Sequence, residues 1–393
     1  MRIVHAIRTT RLSHGGPARS VLDLAAGLHA RGHEVTIATL DAEGVPEEWA
    51  RANGPRTVTL RSWPGERGFL TPSSARAADR LLQDVDFLHL NEVWELFNVS
   101  LARVATRRGV RYCVSPRGSL DDWGFGRKRF RKRAFHALLS RGMMERADFV
   151  HCTAAGERHQ SEIWYPRGRT VVIPNLLDMM PYRQLPGPEH AAGKYGIPMD
   201  RPILLYMSRI CDKKGLEHIV RAMPSILRER PTALLVIAGS GDPNWESFIR
   251  QEISSAGVES SVRFTGFVSG VDKVSMLENA SVFLLPSSHE NFGNVLFEAA
   301  ACGVRLVITR HIATWRELNS AGAARLVAQD PAEIAEAVLD ELSVSPAERR
   351  SRSAEIRNWT LAYYGGDRIL SMYEQAFSGR PADGGDVRKN MVP

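Results

Sequence analysis

Cysteine is scarce in this 393-residue chain: there are four, and no two form a Cys-x-x-Cys pair. Cys113, Cys152, Cys211 and Cys302 are scattered through or beside apolar segments. That excludes a disulfide scaffold and fits a reduced, cytoplasmic compartment. No apolar run approaches the roughly 20 residues that a membrane-spanning helix needs. The chain opens on a strand-like segment, Met1 to Ile7, without the architecture of a signal peptide. His, Cys and carboxylate residues nowhere show structural-metal spacing, so no metal is expected. The phosphate-loop pattern Gly-x4-Gly-Lys-Ser/Thr and the nucleophile elbow Gly-x-Ser-x-Gly are both missing. Gly239-Ser240-Gly241 is followed by Asn244, where a dinucleotide fingerprint needs a third small residue. Asp84-Val85-Asp86 imitates a metal-binding Asp-x-Asp but leads into the apolar Phe87–Leu90, and reads as a helix-to-strand junction. Internal repeats and low-complexity tracts are also missing.

What is present is an ordinary globular composition, 44% hydrophobic and 24% charged, with a net charge of +7. The length suits two or three domains. The basic excess admits nucleic acid, anionic lipid or phosphorylated substrates as partners. Part of it is local: Arg127-Lys128-Arg129-Phe130-Arg131-Lys132-Arg133 holds six cations in seven residues. Onward to Met144 the segment reads as a helix, with Phe130, Ala134, Leu138 and Met143 near one face. Such a basic amphipathic helix suits an anionic membrane surface, or else packs on its own domain with a solvated face.

Short aliphatic runs alternate with helical patterns. Strands are expected at Arg2–Ile7, Glu34–Leu40, Phe87–Leu90, Arg111–Ser115, Phe149–Thr153 and Thr170–Ile173. A second series covers Ile203–Ser208, Ala233–Ala238, Val262–Thr265, Ser281–Leu285, Arg305–Thr309 and Ala324–Val327. This alternation implies an α/β fold of two parallel sheets with crossover helices, hence two Rossmann-like domains. The Pro- and Gly-rich stretch Met179–Asp200 is the expected linker. The expected domains are 1–180, a linker 181–200, 201–358, a C-terminal helix 359–378 and a polar, disordered tail 379–393.

The chemistry concentrates after the strand Ser281–Leu285. Glu290 lies in the following turn, and Glu298 lies in the helix that starts after Gly293. Eight positions along a helix is about 12 Å, so the two carboxylates are not expected to share a proton. They read as two contacts to one extended ligand, with the backbone N–H groups of Gly293 and Asn294 between them at a helix N-terminus that favours anions.

The frame Pro286-Ser-Ser-His-Glu290-Asn-Phe-Gly-Asn294…Glu298-Ala-Ala-Ala-Cys-Gly303 resembles the retaining nucleotide-sugar glycosyltransferases of family 4, whose fold is called GT-B. The resemblance covers nearly the whole chain and is strongest from Tyr206 to Gly303. It implies two Rossmann-like domains facing across a cleft, with the last helix crossing back to the N-terminal one. Arg209-x4-Lys214-Gly215 is similar to the family's Arg-x4-Lys-Gly motif and would hold the donor diphosphate, whose developing charge needs fixed cations. By the same resemblance, Glu290 would contact the transferred sugar, as nucleophile or as positioning group, and Glu298 would take the ribose hydroxyls. Donor contacts would also come from Gly16, Phe292, Gly293 and Asn294. Phe267 and Val268 either contact the nucleotide base or close a strand against the core.

The first loop, with His14-Gly15-Gly16, permits a tight backbone approach and would meet acceptor or phosphate. Ser115-Pro116-Arg117-Gly118 looks like the Ser-Pro-His/Arg-Gly of relatives that build exopolysaccharides or O-antigens, and Trp123-Gly124 resembles the same branch. Arg117 cannot act as a base at neutral pH, but it can bind a phosphate or a sugar hydroxyl. Pro174-Asn175-Leu176-Leu177-Asp178 resembles the family's Pro-Asn-Gly-Val-Asp turn, with Leu176 in place of glycine, and reads as structural.

The expected function is therefore transfer, with retention, of a sugar from a GDP- or UDP-sugar to a saccharide. The acceptor is expected to be a lipid-linked intermediate of cell-surface polysaccharide synthesis at the inner membrane face. A transferase for a soluble acceptor is the alternative; a noncatalytic nucleic-acid or lipid-binding protein is a third reading. No cofactor and no nucleic-acid partner are expected.

Overall fold

The structure is a computed structural model that describes residues 1–12, 16–51, 54–65, 68–120 and 129–379. His14, Gly15, Trp123, Gly124, Arg127, Lys128 and the tail beyond Gly379 lie outside the described residues.

The chain divides into two compact units, Met1–Leu177 with the segment from Gly366, and Asp178–Gly365. The first unit holds β1 (Arg2–Ala6), β2 (Glu34–Thr39), β3 (Arg56–Thr59), β4 (Ser62–Trp63), β5 (Phe69–Leu70), β6 (Phe87–Asn91), β7 (Arg111–Ser115), β8 (Phe149–Cys152) and β9 (Thr170–Val172). Its main sheet runs β3-β2-β1-β6-β7-β8-β9, with every pairing parallel. The second unit holds β10 (Ile203–Met207), β11 (Leu234–Ala238), β12 (Val262–Gly266), β13 (Val282–Leu285), β14 (Leu306–Thr309) and β15 (Ala324–Val327). These form a parallel sheet in the order β12-β11-β10-β13-β14-β15. Both sheets have the doubly wound order of a Rossmann fold, which reverses between β1 and β6 and between β10 and β13. The central strands are buried end to end, as parallel strands covered by helices on both faces must be.

All twelve expected strands are present, and β3 and the β4–β5 hairpin are additions. β3 escaped because Arg-Thr-Val-Thr at a sheet edge is exposed or half-exposed and carries no apolar run. Where a linker was expected, Met180–Arg183 and Glu189–Tyr195 are helices. The second is part of the second unit: Ala191 and Ala192 are buried, and Ser275 Oγ accepts from Ala191 N and donates to Gly187 O. The C-terminal segment is two helices, Pro346–Tyr363 and Gly366–Ser378, rather than one. The latter belongs to the first unit, where Ile369, Tyr373 and Phe377 join the core of β1, β2 and the helix Gly16–Ala30.

The basic segment is helical over Arg129–Phe135, makes a π-helical turn at His136–Ser140, and is helical again over Arg141–Glu145. Phe130 is 87% exposed and Leu138 80%, whereas Met143 is buried. The wider turn rotates Met143 off the expected face and into the core.

A chain of buried histidines crosses the first sheet. His5 Nδ1 meets His89 Nδ1 at 3.0 Å, His89 Nε2 meets Ser115 Oγ at 2.7 Å, and Ser115 Oγ meets His151 Nδ1 at 2.6 Å. His151 Nε2 ends the chain on Ile173 O and the Tyr373 hydroxyl. Burial, helped by the Arg117 charge, lowers His5 and His151 to about 3. Burial holds His89 well below its ordinary value too.

Candidate functional site

In the second unit the loops after β10 and β13 meet where the strand order reverses. Gly215, at φ +70, caps the helix Leu216–Glu229, and a Cβ there would lie 2.2 Å from Pro286 O. Only glycine fits this left-handed position against another backbone. The approach is fixed further by Ser288 N, which donates to Lys213 O at 2.9 Å. The contact places the Lys214 ammonium on the Glu290 carboxylate in a close ion pair. Glu290 is itself clamped by backbone bonds, its N–H to His311 O at 3.2 Å and its carbonyl from Ala313 N at 2.9 Å. Burial pushes its carboxyl up, but the Lys214 charge and hydrogen bond, with Lys213 and His289, more than offset this, and the net shift is downward. Burial and then the Lys214 charge lower the Lys213 ammonium, with Arg209 adding to the effect against Glu290. Lys214 and Lys213 thus both bear on the Glu290 carboxylate, and Arg209, which bears on Lys213, is exposed.

Gly293, at φ +73, opens the helix Asn294–Ala301. A Cβ there would lie 2.7 Å from Leu296 Cδ1 and 3.2 Å from Glu290 Cγ, so glycine keeps the turn tight against Glu290. Glu298, on that helix, pairs with Lys273 at 2.7 Å. The Tyr182 phenol lies against Glu298; burial first, then the Glu298 charge, raises it. Each glutamate therefore has a lysine of its own, and the pair is not a shared-proton dyad.

Two of the expected donor contacts are core side chains. Phe292 is 3% exposed and stacks on Phe297 at 4.7 Å, with Tyr364 at 6.2 Å, and its carbonyl accepts from Thr314 Oγ1. It anchors the turn and cannot present its ring to a ligand. Val268 is buried, whereas Phe267 beside it is 78% exposed. Lys273 and Tyr182 were not foreseen, because 25 residues separate Lys273 from its partner and only the fold joins them.

In the first unit, Gly16 starts the helix Gly16–Ala30 and is exposed, with no atom within 4 Å of a Cβ built there. Arg117 follows β7 at φ +55. Its Nε and Nη2 donate to Asn91 Oδ1 at 3.1 and 2.9 Å, and its Nη1 donates to Asn175 Oδ1 at 2.6 Å. Neutral amides therefore hold this guanidinium in place, with no carboxylate neutralising it among the described residues. Asn91 was missed; a strand that ends in Asn-Glu-Val-Trp beside a sheet reversal was the available signal. Arg8 after β1 pairs with Glu95 after β6 at 3.2 Å.

Two family models match the chain: glycosyl transferases group 1 over residues 189–359, and the glycosyl transferase 4-like domain over 15–176. A glycogen synthase of Mycobacterium tuberculosis is 29% identical over 234 residues, 57% of this chain and 53% of that protein. An uncharacterised glycosyltransferase of Methanocaldococcus jannaschii is 40% identical over 114 residues, 29% of this chain and 28% of that one. The chain spans about a quarter to about half the length of the curated relatives it matches. Among solved structures, a glycosyltransferase from Rickettsia africae superposes with a TM-score of 0.78 at 16% identity, covering 97% of this chain and 99% of that one. The Anabaena protein HepE in complex with UDP gives 0.79 at 15% identity, covering 96% of this chain and 100% of that one. At such identities the likeness establishes the fold, which is GT-B.

Proposed function

We propose that this chain, which belongs to the GT-B glycosyltransferases of the family 4 type, moves a sugar from a nucleoside-diphosphate donor to a saccharide with retention of configuration. The second unit binds the donor and the first binds the acceptor. The observation that carries this reading is the loop after β10, where Arg209, Lys213 and Lys214 outnumber Asp212 and where Lys214 pairs with Glu290 at the strand-order reversal. That surplus of fixed positive charge at a strand-end reversal suits a leaving diphosphate, whose charge grows in the transition state. The three cations supply the charge a metal ion would otherwise bring, so the reading requires none.

The residues divide the work. Arg209 and Lys214 hold the diphosphate, assisted by the backbone of Gly293 and Asn294. Glu298 accepts hydrogen bonds from the ribose hydroxyls, with Lys273 holding it in place. The exposed Phe267 ring offers a stacking face to the base. Glu290, held anionic by Lys214, stands where it can contact the transferred sugar. No separate protein base is needed if the leaving phosphate takes the proton of the acceptor hydroxyl on the same face of the sugar. Arg117 binds the acceptor.

The acceptor is a lipid-linked saccharide at the cytoplasmic face of a membrane. Support comes from Phe130 and Leu138, which are exposed on one helical segment beside the exposed Arg131 and Arg133. Apolar side chains flanked by cations suit an anionic bilayer surface. The test of the activity is release of nucleoside diphosphate from a panel of sugar nucleotides. Wild type is expected to consume a UDP- or GDP-sugar, and Glu290→Gln to lose that turnover. A wild type that consumes none of them, or a Glu290→Gln that keeps full rate, contradicts the reading.

A further inference from the structure

Two non-glycine residues have a left-handed backbone among the described residues, and both end neighbouring strands of the first sheet: Arg117 after β7 and Glu92, at φ +76, after β6. Such a conformation is strained for any residue with a Cβ and tends to persist where the site uses it. The turn at Glu92 is held without its side chain. Its N–H donates to Ser115 O at 2.9 Å, and its carbonyl accepts from Asn98 Nδ2 at 2.8 Å. Asn98 is fully buried and also grips Asn91 O, so the peptide is fixed from below. Glycine would satisfy all of this without strain.

The Glu92 carboxyl itself makes no hydrogen bond and no ion pair among the described residues, although its own loop carries the Arg8–Glu95 pair. It is half-buried at the point where the first sheet reverses its strand order, the place where doubly wound sheets take their ligands. Burial and then the Glu95 charge push it up to about 7, against Arg8 and Arg117. A carboxyl so poised both donates and accepts hydrogen bonds near neutral pH, as a sugar hydroxyl does.

We propose that Glu92 is an acceptor-binding residue, whose carboxyl takes a hydroxyl group of the incoming saccharide at the β1–β6 reversal beside Arg117. This rests on the reading of the first unit as the acceptor-binding one. It differs from a role for Arg117 alone, because Glu92 would select a hydroxyl rather than an anion.

Glu92→Gly and Glu92→Gln test it. The nucleotide that stabilises wild type is identified first by its shift of Tm, and the matching sugar nucleotide is the donor. Methyl glycosides of glucose, galactose, mannose and N-acetylglucosamine are the acceptor probes, and release of nucleoside diphosphate is the readout. Glu92→Gly should relieve strain and raise Tm by about 2–4 °C, while raising the acceptor KM about tenfold and leaving the nucleotide-induced shift unchanged. Glu92→Gln should remove any inflection of acceptor KM near pH 7. Absence of a nucleotide shift in wild type would overturn the donor reading rather than this one. With that shift present, three results overturn this inference: a Tm that falls in Glu92→Gly, an acceptor KM and pH profile that match wild type, or a wild type that neither uses nor binds any of the glycosides.

Discussion

The two units build their sheets to one plan and then diverge at the same topological place. In the second, the loop after β10 carries Arg209, Lys213 and Lys214, Lys214 pairs with Glu290 at the β10–β13 reversal, and glycine occupies the left-handed positions 215 and 293. In the first, the β1–β6 reversal and its neighbour β7 put left-handed backbone on Glu92 and Arg117 instead. The cations of the second unit leave a positive surplus, which suits a diphosphate. Arg117 rests on neutral amide oxygens and the Glu92 carboxyl has no side-chain partner among the described residues, an arrangement that suits a neutral, hydroxyl-rich molecule. One scaffold thus presents two different electrostatic surfaces, set by a few residues at strand ends.

Four changes would break or sharpen this contrast. The largest effect on function is expected from Lys214→Ala, which leaves Glu290 without its ammonium partner. It should cost about 3 kcal/mol of stability, as removal of one member of a largely buried pair does, and abolish nucleotide binding; chemical denaturation and thermal shift read the two. Acid should act on the first unit. His5 and His151 titrate near 3 when folded against 6.5 when free, and His89 is depressed as well. Their contribution is complete above about pH 6.5 and is lost as pH falls toward 3, because only the unfolded chain takes up those protons. The three together give a slope of up to about 4 kcal/mol per pH unit, which His89→Gln should flatten in a series of denaturation curves. Arg117→Ala should raise the acceptor KM by about tenfold, one charge-assisted contact, without changing the nucleotide-induced Tm shift. The smallest change in the protein itself is expected from Phe130→Asp with Leu138→Asp. Stability should stay within about 0.5 kcal/mol, while co-sedimentation with vesicles containing anionic phosphatidylglycerol should fall.

The alternation of apolar runs made both sheets legible, since a parallel strand buried on two faces has to be aliphatic throughout. Edge strand β3 is half exposed and polar, and left no such trace. The turn and helix of the second unit's candidate site were legible because Glu290, Gly293 and Glu298 lie close in sequence. Phe292 sits in the same turn, and sequence spacing could not tell that its ring points into an aromatic cluster with Phe297 and Tyr364. Lys273, Tyr182 and Glu92 were hidden for a related reason. Their surroundings are supplied by distant strands and helices, and the Glu92 turn by a backbone angle that composition does not reveal.

The most direct test of the donor assignment is the thermal shift of the purified protein with UDP, GDP, ADP and CDP, beside Arg209→Ala. Arg209 is exposed and its loss should leave the fold intact. A ligand that binds only the folded state raises Tm as its concentration passes Kd. One of these nucleotides should stabilise wild type, and stabilise Arg209→Ala markedly less. A wild type that responds to none of them, or a variant that responds as fully as wild type, would contradict a diphosphate site at the β10–β13 reversal.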